Sequence, residues 1–151
     1  MTTVDSVWRT FHALLRSTGL CRAPYVQRGG PVPKIVLIAD DNPLMRKTLC
    51  QLFEQEEQYE LCAEACDGAQ AVQLAQEHNP DLIILDLSMP VVDGLQAARK
   101  LRKLKPGVPL ILFTQYSDSY VLAMPDLPFD AVVCKSDGAT LMDKVRALAP
   151  V

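Results

Sequence analysis

Five polar residues stand at the ends of short apolar runs. Asp40 and Asp41 follow KIVLIA, Asp86 follows LIIL, Thr114 closes LILFT, and Lys135 follows AVVC. If the runs are parallel strands, their carboxyl ends form one edge, which is where ligands sit in open α/β sheets. Three carboxylates brought together repel one another unless a cation compensates. Mg²⁺ meets that need, being a hard ion that prefers oxygen ligands, keeps several waters and joins protein carboxylates to phosphate. Asp41 and Asp86 are the expected direct ligands, with a backbone carbonyl near Ser88, and Asp40 acts partly through water. Asp86 is then the nucleophile that takes a phosphoryl group as an acyl phosphate, Lys135 neutralises the equatorial oxygens, and the Thr114 hydroxyl donates to the same phosphate. An acid cluster that merely caps strands is the alternative.

The elements that must position these residues alternate from Lys34 onward in the manner of βαβ units around a parallel sheet. KIVLIAD is apolar throughout, as a strand covered on both faces should be. Asn42 and Pro43 supply a cap and a favoured first helical residue, and Leu44, Met45, Thr48, Leu49, Leu52 and Phe53 follow at helical spacing. A second strand near Glu60–Ala65 ends at Asp67-Gly68, and the helix after it runs to His78, a helix-end residue. DLIILD is the third strand, with a loop through Pro90 and Gly94 after it. Leu95, Ala98, Leu101 and Leu104 mark a third helix, its basic residues on the wet face. PLILFT and AVVCK are strands four and five, and Gly138–Leu148 is the last helix. Between those two strands Ser117–Met124 can make two turns, but Pro125 and Pro128 stop any extension.

With 151 residues there is room for one core and a single domain over 34–151, preceded by an extension over 1–33. The apolar runs are far shorter than the roughly 18–20 residues a membrane span needs. Cys21, Cys50, Cys62, Cys66 and Cys134 form no zinc-type pairing and are read as reduced thiols of a cytoplasmic protein. Up to Lys34 there are five Lys/Arg and one Asp, net +4; the rest has ten Lys/Arg and seventeen Asp/Glu, net −7. An acidic body argues against nucleic acid as the principal ligand.

IADDNP, ILDLSMPVVDG around Asp86, LFT at Thr114 and VVCK, in this order, resemble the receiver domains of two-component response regulators, and the resemblance spans nearly all of Lys34–Leu148. It implies a flavodoxin-like, doubly wound five-stranded parallel sheet in the order 2-1-3-4-5, here with a shortened fourth helix. It also implies a phosphorelay partner, either a histidine kinase or a histidine phosphotransfer protein, and small phosphodonors as substitutes. With no output domain recognised after the last helix, a stand-alone switch acting on an unidentified output protein is expected, with no catalysis beyond its own phosphorylation and dephosphorylation.

Three positions depart from the family's pattern. Val132 stands three residues before the lysine, where receivers commonly carry Tyr or Phe, and Gln115 replaces the usual small residue after the threonine, so Gln115 is expected to fill the slot for the missing ring. Tyr116, with Ser88, flanks the path of a hydrolytic water, and its bulk implies slow loss of the phosphoryl group. Val132 and the broken fourth helix give weight to a second class, a receiver-like binding or scaffold module that works unphosphorylated. A small-molecule phosphatase is disfavoured because no second nucleophile or general acid is visible.

Val4–Ser17 has the spacing of a short helix with Val7, Trp8, Phe11, Leu14 and Leu15 on one side, and RAPYVQRGGPVP reads as a linker. Membrane contact, if any, is expected only through this extension. A translational start downstream, for instance at Val32, is the other reading.

Overall fold

Five runs of β-branched and aliphatic residues form the sheet of the computed structural model, which describes residues 32–151 other than 117, 118, 120 and 122. The strands are β1 (Lys34–Ala39), β2 (Tyr59–Ala65), β3 (Leu82–Leu85), β4 (Leu110–Thr114) and β5 (Ala131–Cys134). All pairings are parallel, in the order β2-β1-β3-β4-β5. Parallel neighbours need a crossover, and among the described residues four helices supply the covering layers: α1 (Pro43–Glu54), α2 (Gly68–His78), α3 (Gly94–Leu104) and α4 (Gly138–Leu148). This is the doubly wound architecture expected from the alternation of the sequence.

Because side chains alternate along a strand, each central strand feeds two cores. Val36, Ile38, Leu82, Ile84, Ile111, Phe113 and Val133 meet Leu49 and Phe53 of α1 and Leu141, Met142 and Val145 of α4. Leu37, Ala39, Ile83, Leu85 and Leu110 meet Ala71 and Ala75 of α2 and Ala98 and Leu101 of α3. The edge strand β2 breaks the alternation. Val36 pairs with Leu61 but Leu37 pairs with Ala63, so Cys62 is one residue too many. Beyond it the faces exchange: Tyr59 and Leu61 belong to the first core, Ala63 and Ala65 to the second. Glu64, paired with Ile38, is thereby turned toward α1.

Each helix starts on a side-chain cap. Asn42 accepts from the amides of Leu44 and Met45, Asp67 from Gln70, Asp93 from Gln96 and Asp137 from Thr140. Of the shortened helix expected over Ser117–Met124, four positions lie outside the described residues, as does the helix expected over Val4–Ser17. Val121 is fully buried, and its carbonyl accepts from the Met124 amide 3.0 Å away. From there to β5 the chain is held by Arg102 of α3. Its Nε donates to Pro128 O at 2.9 Å, its Nη1 to Val108 O at 3.1 Å, and its Nη2 pairs with the Asp130 carboxylate. Among the described residues no helix is long and apolar enough to cross a membrane.

The loop after β3 is tied to the starts of α2 and α3. Gly68 N donates to Val92 O and Gly94 N to Leu87 O, both at 2.9 Å. A Cβ on Gly94 would lie 1.9 Å from the carbonyl oxygen of Asp86, so the first residue of α3 has to be glycine for the helix to pack against the site. Gly107 has open space around it. Gly94→Ala is therefore expected to cost about 1–3 kcal/mol through overpacking against backbone, whereas Gly107→Ala stays within about 0.5 kcal/mol of wild type. Urea unfolding of the two variants checks the contrast, and equal effects would contradict the packing argument.

Candidate phosphoryl-acceptor site

The sheet ladder itself delivers the site. Ala39 pairs with Leu85 and Thr114 with Cys134, so the residue that follows each of β1, β3 and β5 emerges beside its neighbour. The ladder then runs one step further: Asp86 N donates to Ala39 O (2.8 Å), Asp40 N to Ala65 O (3.1 Å) and Lys135 N to Thr114 O (2.9 Å). Backbone bonds thus fix these Cα positions before any side-chain contact is counted.

Asp40, Asp86 and Thr114 are the buried polar residues of the described core, at 1%, 4% and 0% exposure. The Lys135 ammonium lies between the two acids, 2.7 Å from Asp40 Oδ2 and 2.9 Å from Asp86 Oδ2. Asp86 Oδ1 accepts from Leu87 N at 2.7 Å, and Asp40 Oδ1 from Asn42 N at 2.9 Å. Asp41 is exposed, yet it offers a carboxylate oxygen within 4.8 Å of those of Asp40 and Asp86. Thr114 Oγ1 accepts from Tyr116 N at 3.4 Å. Every strand-end residue expected to act together is brought to one place. Ser88 is an exposed residue two positions beyond Asp86 on the same loop. Gln115 is exposed rather than packed into the slot it was expected to fill, and Val132 is half-buried.

The charges do not balance. Burial raises the pKa of the Asp86 carboxyl and the Asp40 charge adds to it, while Lys135 and the Leu87 amide act in the opposite direction without overcoming the rise. Burial alone would lower the pKa of Lys135, but its pairs with Asp40 and Asp86 outweigh that and raise it. Among the described residues Lys135 is the cation paired with Asp40 and Asp86, and the Asp41 carboxylate lies beside them. Asp40 Oδ2 is buried with the Lys135 ammonium 2.7 Å away. Three carboxylate oxygens within 4.8 Å of one another, two of them on buried residues, fit a hard divalent ion. The donor set suits Mg²⁺.

Two contributors were not legible beforehand. Gly94 packs on the Asp86 carbonyl, for which its place at a helix start after a loop was the available signal. Arg46 of α1 donates from Nη1 to the carbonyls of Asp40 (2.8 Å) and Asp41 (3.3 Å). A basic residue six positions after Asp40 on an amphipathic helix gives no sign of that.

The comparisons with known proteins agree with this geometry. The model of the response regulator receiver domain matches residues 36–146, and the chain belongs to that family. A transcriptional regulatory protein of Mycobacterium tuberculosis, PdtaR, is 43% identical over 94 residues, which cover 62% of this chain and 45% of that protein. The nitrate/nitrite response regulator NarP of Escherichia coli is 38% identical over 117 residues, covering 76% and 54%. The chain thus spans about half the length of these curated relatives. Among solved structures, the response regulator TrrA of Thermotoga maritima, in complex with Mg²⁺ and BeF, superposes with a TM-score of 0.70 at 34% identity, covering 76% of this chain and 98% of that one.

Removing the shared cation tests the charge argument. Lys135→Met leaves two buried carboxylates uncompensated, and the metal-free variant is expected to lose about 3–5 kcal/mol at neutral pH. Asp86 already binds its proton more readily folded than unfolded, so its ionised form costs stability above its ordinary pKa of 3.8 and that cost disappears as pH falls. Without Lys135 the effect grows, and the deficit of the variant should shrink in mildly acidic buffer. Urea unfolding at the two pH values reads it; a deficit independent of pH would contradict the account.

Proposed function

We propose that this chain is a phosphorylation-controlled signalling switch that accepts a phosphoryl group on Asp86 with Mg²⁺ and transmits the change to a protein partner in the cytoplasm. The observation that carries the reading is the convergence of the Asp40, Asp41 and Asp86 oxygens within 4.8 Å around one lysine. Asp41 and Asp86, with a carbonyl near Ser88, would hold the ion and Asp40 would act partly through water. When bound, Mg²⁺ offsets the negative charge of the phosphoryl oxygens.

A carboxylate oxygen of Asp86 forms the new P–O bond as the donor's bond to phosphorus breaks, and the leaving group departs with that electron pair. For a histidine kinase or phosphotransfer protein the leaving group is an imidazole, and for acetyl phosphate it is acetate. Lys135, already 2.9 Å from Asp86 Oδ2, stands where the added charge arrives. The buried hydroxyl of Thr114 is the further donor for a phosphoryl oxygen. The chemistry is confined to the chain's own aspartate, so turnover of an external substrate is not part of the proposal. Similarity to regulators about twice as long supports a signalling role and leaves the output partner to be identified.

The full chain incubated with acetyl phosphate and Mg²⁺ is expected to gain the mass of one phosphoryl group, sensitive to hydroxylamine, located on Asp86 and absent in Asp86→Asn. Chelation of Mg²⁺ should abolish the gain. No added mass, or a gain that survives Asp86→Asn, would overturn the proposal in favour of a receiver-like module that works unphosphorylated.

A further inference from the structure

We infer that Arg46 is a positioning residue for the cation site, setting the Asp40–Asp41 pair through their backbone carbonyls. The role rests on the functional reading above. The turn between β1 and α1 carries both acids on irregular backbone, where carbonyls have no ladder partner. One guanidinium nitrogen of Arg46 bonds both of them, at 2.8 and 3.3 Å. Asn42 closes the same turn from the other side: its amide donates to Asp40 Oδ1, and its own Oδ1 accepts from Leu44 and Met45.

Arg46 is itself held. Its Nε lies 3.4 Å from Glu64 Oε2, and Glu64 Oε1 accepts from Cys50 Sγ at 3.2 Å. Glu64 is on the α1 side of the sheet because of the extra residue at Cys62 in β2. The bulge, Glu64, Arg46 and the two aspartate carbonyls thus form one continuous support from the sheet edge to the cation ligands.

Charge and geometry predict opposite signs here, which makes the role testable. A positive charge beside the site repels Mg²⁺, so a guanidinium acting only through its charge would weaken the ion's binding, and its removal would tighten it. A guanidinium that positions the acids would do the reverse, since partners of metal ligands typically contribute about 10–100-fold in affinity.

Calorimetric titration of the full chain with MgCl₂, with metal-free thermal unfolding as the control for folding, decides between them. Arg46→Ala is expected to weaken Mg²⁺ binding about tenfold. Arg46→Lys should not restore it, because an ammonium keeps the charge but has no second nitrogen to stay anchored on Glu64 while the first bonds the two carbonyls. Glu64→Gln, which retains Arg46 but loosens its anchor, should show a smaller loss, and it carries the test if Arg46→Ala does not fold. Unchanged or tighter binding in Arg46→Ala, full rescue by lysine, or wild-type affinity in Glu64→Gln where Arg46→Ala is unfolded would overturn the positioning role alone. Failure of the wild type to bind Mg²⁺ would overturn the functional reading and this inference with it.

Discussion

One ammonium pairs with two buried carboxylates while a third, that of Asp41, stands beside them, and the rest of the site follows from that imbalance. At an effective dielectric of about 20, two unit charges about 4 Å apart interact by about 4 kcal/mol. Lys135, within 2.9 Å of both Asp40 and Asp86, can therefore hold two buried acids in place. It cannot cancel their charge and that of Asp41 as well. Under the proposed function, a divalent cation would offset the surplus negative charge before a phosphoryl group adds more. A site neutral on its own would have no such demand. The pKa of Asp86 is raised chiefly by burial, with the Asp40 charge adding to it, so in the absence of metal a proton competes for that oxygen.

The imbalance persists because the backbone leaves the side chains little freedom. Asp40, Asp86 and Lys135 each continue the sheet ladder by one amide bond to a neighbouring strand, so separating the charges means breaking the sheet. A slip of one residue would also exchange the two cores, since Val36 and Ile38 belong to one and Leu37 and Ala39 to the other. Thus the hydrophobic pattern, which has nothing to do with phosphate, enforces the register on which the acids depend. Gly94 adds the last close contact, bringing α3 against the Asp86 carbonyl where any Cβ would collide.

How much of this was legible depends on the range of the interaction. Strand ends, the helix cap at Asn42, and the gathering of Asp40, Asp41, Asp86, Thr114 and Lys135 at one sheet edge follow from local pattern plus one topological rule. The second strand runs Tyr59–Ala65, close to the expectation, but the Tyr59 hydroxyl donates to the Ala149 carbonyl, 90 residues away, at 3.1 Å. No local window contains that partner. The exchange of faces at Cys62 is hidden for a related reason: YELCAEA reads as a half-apolar strand whichever residue is the extra one. Gln115 was assigned to a slot left by Val132, but a side chain at the end of β4 is as free to turn toward water, and it does.

Arg46 and Arg102 show where a chain with irregular turns finds its missing hydrogen bonds. Each lies on a helix, each reaches two carbonyls outside the ladder, Asp40 and Asp41 on one turn for Arg46 and Val108 and Pro128 on two connections for Arg102, and each is anchored by a carboxylate, Glu64 in one case and Asp130 in the other. The Asp130 carboxylate also accepts from the Leu110 amide at 2.7 Å, so the second arginine ties the approach to β5 directly to the start of β4. A lysine has no second nitrogen with which to hold the carboxylate and the carbonyls together in a fixed geometry. Asp40 and Asp41 at one place, and Val108, Pro128 and Asp130 at the other, thus gain from arginine the definition that helices and strands obtain from their own backbone. The same device serves the acid turn after β1 and the approaches to β4 and β5.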